Sequence, residues 1–347
     1  MRPLMRGIWW KIIGIVLVFY ALTTSLLAPL HPGILQANFE TLSPGINQGE
    51  VVGYNTHFAE ASEALQATVR CGPNEYCAEI VEVLSNTRAI VNVGCPEQVP
   101  FSLLDLYVNN PLDGTVYLPN GLHASQEMVE PNIGVSECPI SVDNDDPLGF
   151  GFPFLPTIFE TIRNLMWHVP MWFTMFFLMI MSVVQSIRFL GKGKLSLDHS
   201  AANSAKVGIV FCVLGLVTGS IWAKYTWGAW WVDDPQLNGA MVTFLIYVAY
   251  LILRRSIEDE EKKGRISAVY NIFAFVMLVV LLMILPKFTE SLHPGKGGTP
   301  AFSSYDLDSS LRPIFYPAVV GWIIVGYWMY SLKQRLKRIE NTLDYGE

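Results

Sequence analysis

Charged residues are scarce in this chain: Asp, Glu, Lys and Arg make up 15% of its 347 residues, against roughly 25% in an ordinary soluble domain. Basic residues are scarcer still between positions 31 and 160, where 17 acidic side chains face only Arg70 and Arg88. This acidic balance argues against nucleic acid as a partner. Hydrophobic residues are abundant, at 51% of the chain, so a membrane protein is the first expectation.

Six apolar stretches approach the roughly 20 residues that a membrane-spanning helix requires: 8–30, 165–189, 207–223, 239–253, 269–285 and 314–332. The first is long for a signal peptide and lacks a clear small-x-small cleavage site after it, so we interpret it as a retained helix. Lysine and arginine cluster before the first stretch, after the second, after the fourth and after the sixth. Because basic loops stay in the cytoplasm, both termini are predicted to be cytoplasmic. The loops 31–164, 224–238 and 286–313 are predicted to be external.

The long external loop is expected to form a domain over residues 31–155. Short β-prone runs at 50–56, 79–84, 89–93, 101–108 and 115–118 alternate there with turn-forming clusters, which is typical of a small β-sandwich. Residues 59–69 fit a helix or a strand. The expected fold is therefore an α-helical integral membrane protein with six transmembrane helices and an inserted, β-sandwich-like external domain. Its segments are a first helix (1–30), the insert (31–155), a five-helix membrane domain (156–335) and a cytoplasmic tail (336–347).

Cysteine is also rare, and four of the five cysteines lie in the external segment. Disulfides persist in oxidising compartments, so this position agrees with the predicted topology. Four thiols allow three pairings, of which Cys71–Cys77 with Cys95–Cys138 is preferred. A zinc site is the alternative, although no CxxC spacing supports it. The fifth cysteine, Cys212, is expected to be a packing residue inside the third span.

Three tryptophans lie within five residues between the third and fourth spans, at Trp227, Trp230 and Trp231. An indole is large, flat and apolar with one N–H donor, so the cluster fits either an aromatic belt at the bilayer interface or a platform for a flat ligand. His168 and His293 lie at the predicted external ends of the second and fifth spans, on either side of the tryptophans in sequence. Two imidazoles facing one another are able to ligate a haem iron from both sides, which favours the platform.

Polar residues near the tryptophans have expected roles of their own. The pair Asp234-Pro235 predicts the start of the fourth helix, because aspartate caps helices and proline suits the first turn. Lys224 and Lys287 are candidates for pairing with haem propionates on the external side.

The motifs around these residues resemble a known family. Residues 218–222 (TGSIW) and 227–237 (WGAWWVDDPQL) look like the WWD signature of haem-handling proteins, in the form seen in the CcmC family of cytochrome c maturation. Residues 167–170 (WHVP) and 291–293 (SLH) resemble that family's two histidine motifs, in the same order around the WWD loop. The resemblance covers roughly residues 165–332 and the first span.

The resemblance implies a multi-pass protein of the bacterial inner membrane, with residues 31–164 in the periplasm, that binds haem b transiently at the external face. It implies transfer of the haem to a CcmE-like chaperone, in company with CcmA- and CcmB-like transporter subunits, and no enzymatic activity. His168 and His293 become the axial iron ligands. The implied platform consists of Trp227, Gly228, Trp230, Trp231 and Asp234.

This chain departs from the family pattern at two positions. Asp233 stands where a third tryptophan is usual, and Gln236 stands where arginine is usual, so both stacking and propionate pairing are expected to be weaker. The insert is also absent from compact family members. Two other functions stay open: a cytochrome c haem lyase or synthase related to CcsA, and a haem-free assembly protein whose tryptophans only anchor it in the bilayer.

Overall fold

The computed structural model describes residues 7–43, 45–71, 74–95, 103–124, 149–155, 158, 160–289, 291–293, 307 and 310–345. These residues divide into two compact units. One comprises Met1–Leu27 with Thr161–Glu347, and the other comprises Ala28–Glu160. We call them the helical unit and the β unit.

The helical unit contains six helices that are long and apolar enough to cross a membrane, as the sequence predicted. They are α1 (Trp9–Leu27), α2 (Leu165–Lys192), α3 (Leu195–Trp227), α4 (Pro235–Arg255), α5 (Glu260–Val279) and α7 (Arg312–Tyr345). Helix α5 continues through a π-helical turn, Val280–Ile284, into the short α6 (Leu285–Phe288).

Helix α3 begins twelve residues earlier than its apolar stretch, so His199 and Lys206, expected in or beside a loop, lie within the helix. The added turns are rich in small residues, among which Ala201 and Ala205 are buried. Small residues allow two helix backbones to approach closely, and Ser182 of α2 donates a 2.8 Å hydrogen bond to the Ala201 carbonyl. Packing against α2 therefore extends the helix beyond the apolar stretch.

Glycines and polar side chains stabilise the contacts between helices. Apolar side chains alone do little to drive helices together in a membrane, because lipid tails are equally apolar. A Cβ added to Gly14 of α1 would lie 2.5 Å from Ile324 of α7, so these helices meet through the missing side chain. In the bundle, Asn271 of α5 donates to Ser182 at 2.8 Å and to Ser186 at 2.9 Å. A buried amide without partners would be costly in this environment, so these bonds fix the packing of α5 on α2.

The β unit is a single antiparallel sheet of seven strands in the order β1-β2-β5-β4-β3-β6-β7. Its edge strands β1 and β7 lie close together, and an isolated bridge joins Leu42 to Ala124. The described residues thus form one nearly closed, barrel-like sheet, and the expectation of a sandwich is not met. The strands are β1 (Gly33–Asn38), β2 (Gly45–Tyr54), β3 (Gln66–Cys71), β4 (Asn74–Ser85), β5 (Arg88–Cys95), β6 (Leu103–Asn110) and β7 (Gly114–His123).

Alternating side chains fill the interior of this sheet, as a strand periodicity of two requires. Leu104, Leu106 and Val108 of β6 are buried while their neighbours are not. The ambiguous segment 59–69 becomes a short 3-10 turn, Ser62–Ala64, followed by β3.

The backbone register bears on the expected disulfides. Cys71 pairs with Asn74, and Cys77 pairs with Thr68, so the two cysteines lie three residue pairs apart along β3 and β4. At about 3.3 Å per residue, this offset of roughly 10 Å exceeds the Cα separation of about 4.4–6.8 Å that a disulfide spans. This register therefore does not bring the Cα atoms of Cys71 and Cys77 within the distance that a disulfide spans. The Cys95–Cys138 pairing lies outside the described residues, because Cys138 is not among them.

Candidate functional site

His168 lies in the first turn of α2 and is held by α3. Its Nδ1 lies 3.1 Å from the hydroxyl of Thr218. That hydroxyl donates its single proton to the Leu214 carbonyl at 2.8 Å, so it accepts from the imidazole and Nδ1 carries the proton. The indole N–H of Trp172 donates to Nε2 at 3.2 Å. Both contacts assign the same tautomer, with the lone pair on Nε2.

Glycines of α3 make room for this arrangement. A Cβ added to Gly219 would lie 2.7 Å from His168 Cε1, and one added to Gly215 would lie 2.8 Å from Trp172 Cε2. The two rings therefore rest directly on the α3 backbone, one turn apart. Trp222 meets the imidazole edge-on, with ring centroids 5.7 Å apart.

His293 is positioned by a buried carboxylate. Its Nδ1 lies 3.1 Å from Asp234 Oδ1, and the side chains are 20% and 1% exposed, respectively. An ionised carboxylate only accepts hydrogen bonds, so Nδ1 carries a proton, and in the neutral imidazole the lone pair is on Nε2. The ring also meets Trp227 at a tilt, with centroids 5.4 Å apart. A carboxylate partner of this kind orients an imidazole and raises its basicity as a metal ligand.

Asp234 is the N-cap of α4, as the sequence predicted. Its Oδ1 accepts from the backbone N–H groups of Gln236 and Leu237 at 2.9 and 3.2 Å, and its Oδ2 accepts from the Leu292 N–H at 2.7 Å. Burial alone would raise the pKa of this carboxyl group. The hydrogen bonds from Leu292 and the Ser291 hydroxyl, with the adjacent His293, instead hold the pKa below its ordinary value. The charged carboxylate thus ties the start of α4 to the segment carrying His293.

The two histidines belong to the same compact unit. Between them in sequence, the tryptophan loop begins at Gly228, whose φ of +82° ends α3 in the left-handed region that favours glycine. Trp230 is 57% exposed and Trp231 is 38% exposed. The structure thus brings Trp227 and Asp234 into contact with His293, and leaves Trp230 and Trp231 with open faces.

Two polar side chains of α3 fix the shape of the loop. Ser220 donates to the Trp230 carbonyl at 2.7 Å, and Lys224 donates to the Gly228 carbonyl at 3.0 Å. Lys224, expected from the sequence to meet a propionate, is therefore engaged with the loop backbone. A lysine near the end of a helix commonly satisfies its last carbonyls in this way.

Asp233, one of the two departures from the family pattern, takes part in a short chain of hydrogen bonds. It accepts from the Asn238 amide at 2.8 Å, and the Asn238 oxygen accepts from the Trp231 indole N–H at 3.2 Å. The carboxylate thus orients an indole of the loop. Gln236, the other departure, contributes its backbone N–H to the Asp234 cap.

The other histidines lie elsewhere. His31, His57 and His123 belong to the β unit, where His57 Nδ1 lies 2.7 Å from the buried carboxylate of Asp113. His199 lies in the first turns of α3, near Glu260 of α5.

Sequence reasoning singled out both histidines but missed most of the residues that hold them. The supporting contacts come from Trp172, Thr218, Gly219, Trp222 and Ser291. Their signals were weak: Trp172 follows His168 at the i to i+4 spacing of one helix face, and Thr218, Gly219 and Trp222 appeared only as members of the resembling motif.

A family model described as Heme exporter protein C, abbreviated CcmC, matches residues 156–344, which is more than half of the chain. This chain belongs to that family. Heme exporter protein C of Escherichia coli K12 is 28% identical over 199 residues, covering 56% of this chain and 76% of the relative. The protein of the same name from Rhodobacter capsulatus is 28% identical over 199 residues, covering 56% and 80%. That from Bradyrhizobium diazoefficiens is 30% identical over 160 residues, covering 46% and 60%. The match of the family model begins at residue 156, within the last five residues of the β unit.

Proposed function

We propose that this family member binds haem at the external membrane face, with His168 and His293 as the axial iron ligands. The observation that carries the proposal is the shared tautomer of the two imidazoles. Each donates its Nδ1 proton to a fixed acceptor, Thr218 or Asp234, so the lone pair of each neutral imidazole is on Nε2. This is the form in which neutral imidazoles ligate metals.

The tryptophan loop supplies the porphyrin platform in this proposal. Trp230 and Trp231 keep open faces, and Trp227 packs against one axial ligand. Gly228 permits the reversal that joins these indoles to α3. Asp234 acts on the haem through His293, because its two oxygens are engaged with protein N–H groups.

The haem is cargo, and the protein transfers it during cytochrome c maturation. The names of the relatives speak for export, which favours transfer over the covalent chemistry of a haem lyase. A CcmE-like chaperone is the proposed acceptor, and CcmA- and CcmB-like transporter subunits are the proposed companions. The cargo is haem b, since a transferred haem has not yet been attached to a cytochrome.

The proposed location is the bacterial inner membrane, with both termini in the cytoplasm and residues 31–164 in the periplasm. The six spans and the family membership support a multi-pass membrane protein. The basic residues of alternate connections give its orientation. This orientation puts the start of α2, which carries His168, and the segment after α6, which carries His293, at the periplasmic face.

Haem titration of the detergent-purified protein tests the proposal. Wild-type protein is expected to develop the Soret spectrum of a bis-histidine haem, and His168→Ala and His293→Ala should each lose most of the bound haem. His199→Ala is the matched control, because His199 lies in the first turns of α3, away from these contacts. Full haem occupancy in the His168→Ala/His293→Ala double variant would refute the axial ligands. Covalent attachment of haem to an apocytochrome by the purified protein alone would instead support a lyase.

A further inference from the structure

The contact between Trp172 and His168 raises a question that axial ligation alone does not answer. An imidazole nitrogen has one lone pair in the ring plane. In the structure the Trp172 indole N–H donates a hydrogen bond to the lone pair of His168 Nε2, with the two nitrogens 3.2 Å apart. A haem iron would need the same pair on the same nitrogen, so iron and indole cannot bind it together.

The indole is held in place by its surroundings. Trp172 lies one turn after His168 on α2, and its ring rests against Gly215, where even a Cβ would approach to 2.8 Å. The ring therefore has the α3 backbone behind it, while its N–H meets the imidazole in front. On the other side of the imidazole, Thr218 fixes Nδ1. These contacts favour an arrangement in which Nε2 is already occupied when haem is absent.

We propose that the Trp172 indole N–H is a displaceable placeholder on the axial nitrogen of His168, which lowers the haem affinity and so favours release. The inference rests on the proposed function, because it concerns the same nitrogen. Ligation must break the indole hydrogen bond, and a transfer protein benefits from a ligand that it does not hold too firmly. Removing the N–H should therefore tighten haem binding, the opposite of what loss of a supporting residue does.

Trp172→Phe provides the test, since phenylalanine keeps an aromatic ring against Gly215 and lacks the N–H. The haem dissociation constant, measured by Soret titration, is expected to fall by about 3- to 10-fold, the net effect of one hydrogen bond. Trp222→Phe is the matched control. Trp222 also meets the imidazole edge-on, but the bond to Nε2 comes from Trp172, so this change should not tighten binding. Trp172→Leu, which also lacks the N–H, should tighten binding in the same direction.

A second measurement needs no haem. Diethylpyrocarbonate acylates unprotonated imidazole nitrogens, and mass spectrometry gives the rate at His168 relative to His293 in the same apo sample. That relative rate should rise more in Trp172→Phe than in Trp222→Phe, because the Trp222 variant keeps the indole N–H on Nε2. An unchanged rate would show that the nitrogen was never occupied.

The outcomes separate the two claims. Faster modification of Trp172→Phe with an unchanged or weaker haem affinity refutes the placeholder and leaves axial ligation standing. Absence of haem binding by the wild type and all variants refutes the proposed function, whatever the modification rate. Tighter haem binding together with faster modification supports both.

Discussion

Replacing Asp234 with asparagine tests how far one carboxylate controls the site. Asparagine has nearly the same shape and is as good an N-cap as aspartate, so the start of α4 should survive. The change removes the negative charge and one of two acceptor oxygens. At present Oδ1 serves Gln236, Leu237 and His293, while Oδ2 serves Leu292. A single amide oxygen cannot accept from the Oδ1 donors and from the Leu292 N–H at once. The new NH₂ group would therefore face a hydrogen-bond donor in place of an acceptor.

The size of the effect follows from the two roles of the carboxylate. A partner of a metal-bound imidazole typically changes metal affinity by about 10- to 100-fold, so the haem dissociation constant of Asp234→Asn should rise by that factor. Hydrogen bonds to a charged group contribute about 1.5–3 kcal/mol each. The variant should therefore also unfold at a lower temperature while keeping its helix content.

Soret titration gives the dissociation constant, and circular dichroism gives the helix content and the unfolding temperature. Asp233→Asn is the control, because Asp233 is exposed and asparagine keeps a side-chain oxygen that accepts from Asn238. This control should leave the haem dissociation constant within about twofold of wild type, which is a much smaller change than the one expected for Asp234→Asn. The reasoning fails if Asp234→Asn binds haem as tightly as wild type, or if both substitutions weaken haem equally.

Three further outcomes follow from the geometry. Gly219→Ala, whose Cβ would lie 2.7 Å from His168, should weaken haem binding on the order of tenfold, whereas Gly191→Ala, in open space, should leave the same titration unchanged. Asp198→Ala leaves Arg254, whose side chain is 10% exposed, without the carboxylate that now holds it with two 2.6 Å bonds. This change should lower the free energy of unfolding by about 3–5 kcal/mol, as a thermal melt would show. The pKa of Asp234 lies below its ordinary 3.8 in the folded protein. The difference in the free energy of unfolding between wild type and Asp234→Asn should therefore be constant above pH 3.8 and narrow as the pH falls through the lowered pKa. A difference that narrows already near neutral pH would contradict this.

The six spans could be predicted from composition, because lipid imposes one rule on every residue of a spanning segment. Their ends could not. His199 and Lys206 lie in α3 because small residues such as Ala201 pack against α2, and hydropathy does not register that packing. Closure of the β unit escaped prediction for a related reason. The β-prone runs between turn clusters identified five of the strands, but the approach of β1 to β7 depends on contacts between segments about 80 residues apart.

In the candidate site, too, features with a local sequence pattern could be predicted and contacts between distant segments could not. His168 and His293 were predicted from their order around the tryptophan loop, and the cap at Asp234 from the local pair Asp234-Pro235. The bond from Asp234 to His293 joins residues 59 positions apart, and the occupant of the His168 nitrogen depends on the rotamer of Trp172. Neither contact has a local pattern in the sequence that would predict it.

The departure at Asp233 illustrates how the same residue is interpreted differently once its neighbours are known. From the sequence, a carboxylate in place of an indole is expected to weaken the contact with a flat, anionic ligand. In the structure this carboxylate accepts from Asn238, and the same Asn238 accepts from the indole N–H of Trp231. An indole whose N–H is engaged on one edge is restricted in rotation, so its face is presented in a fixed direction. The proposed platform therefore has one aromatic ring fewer at position 233, but the orientation of the ring at position 231 is fixed.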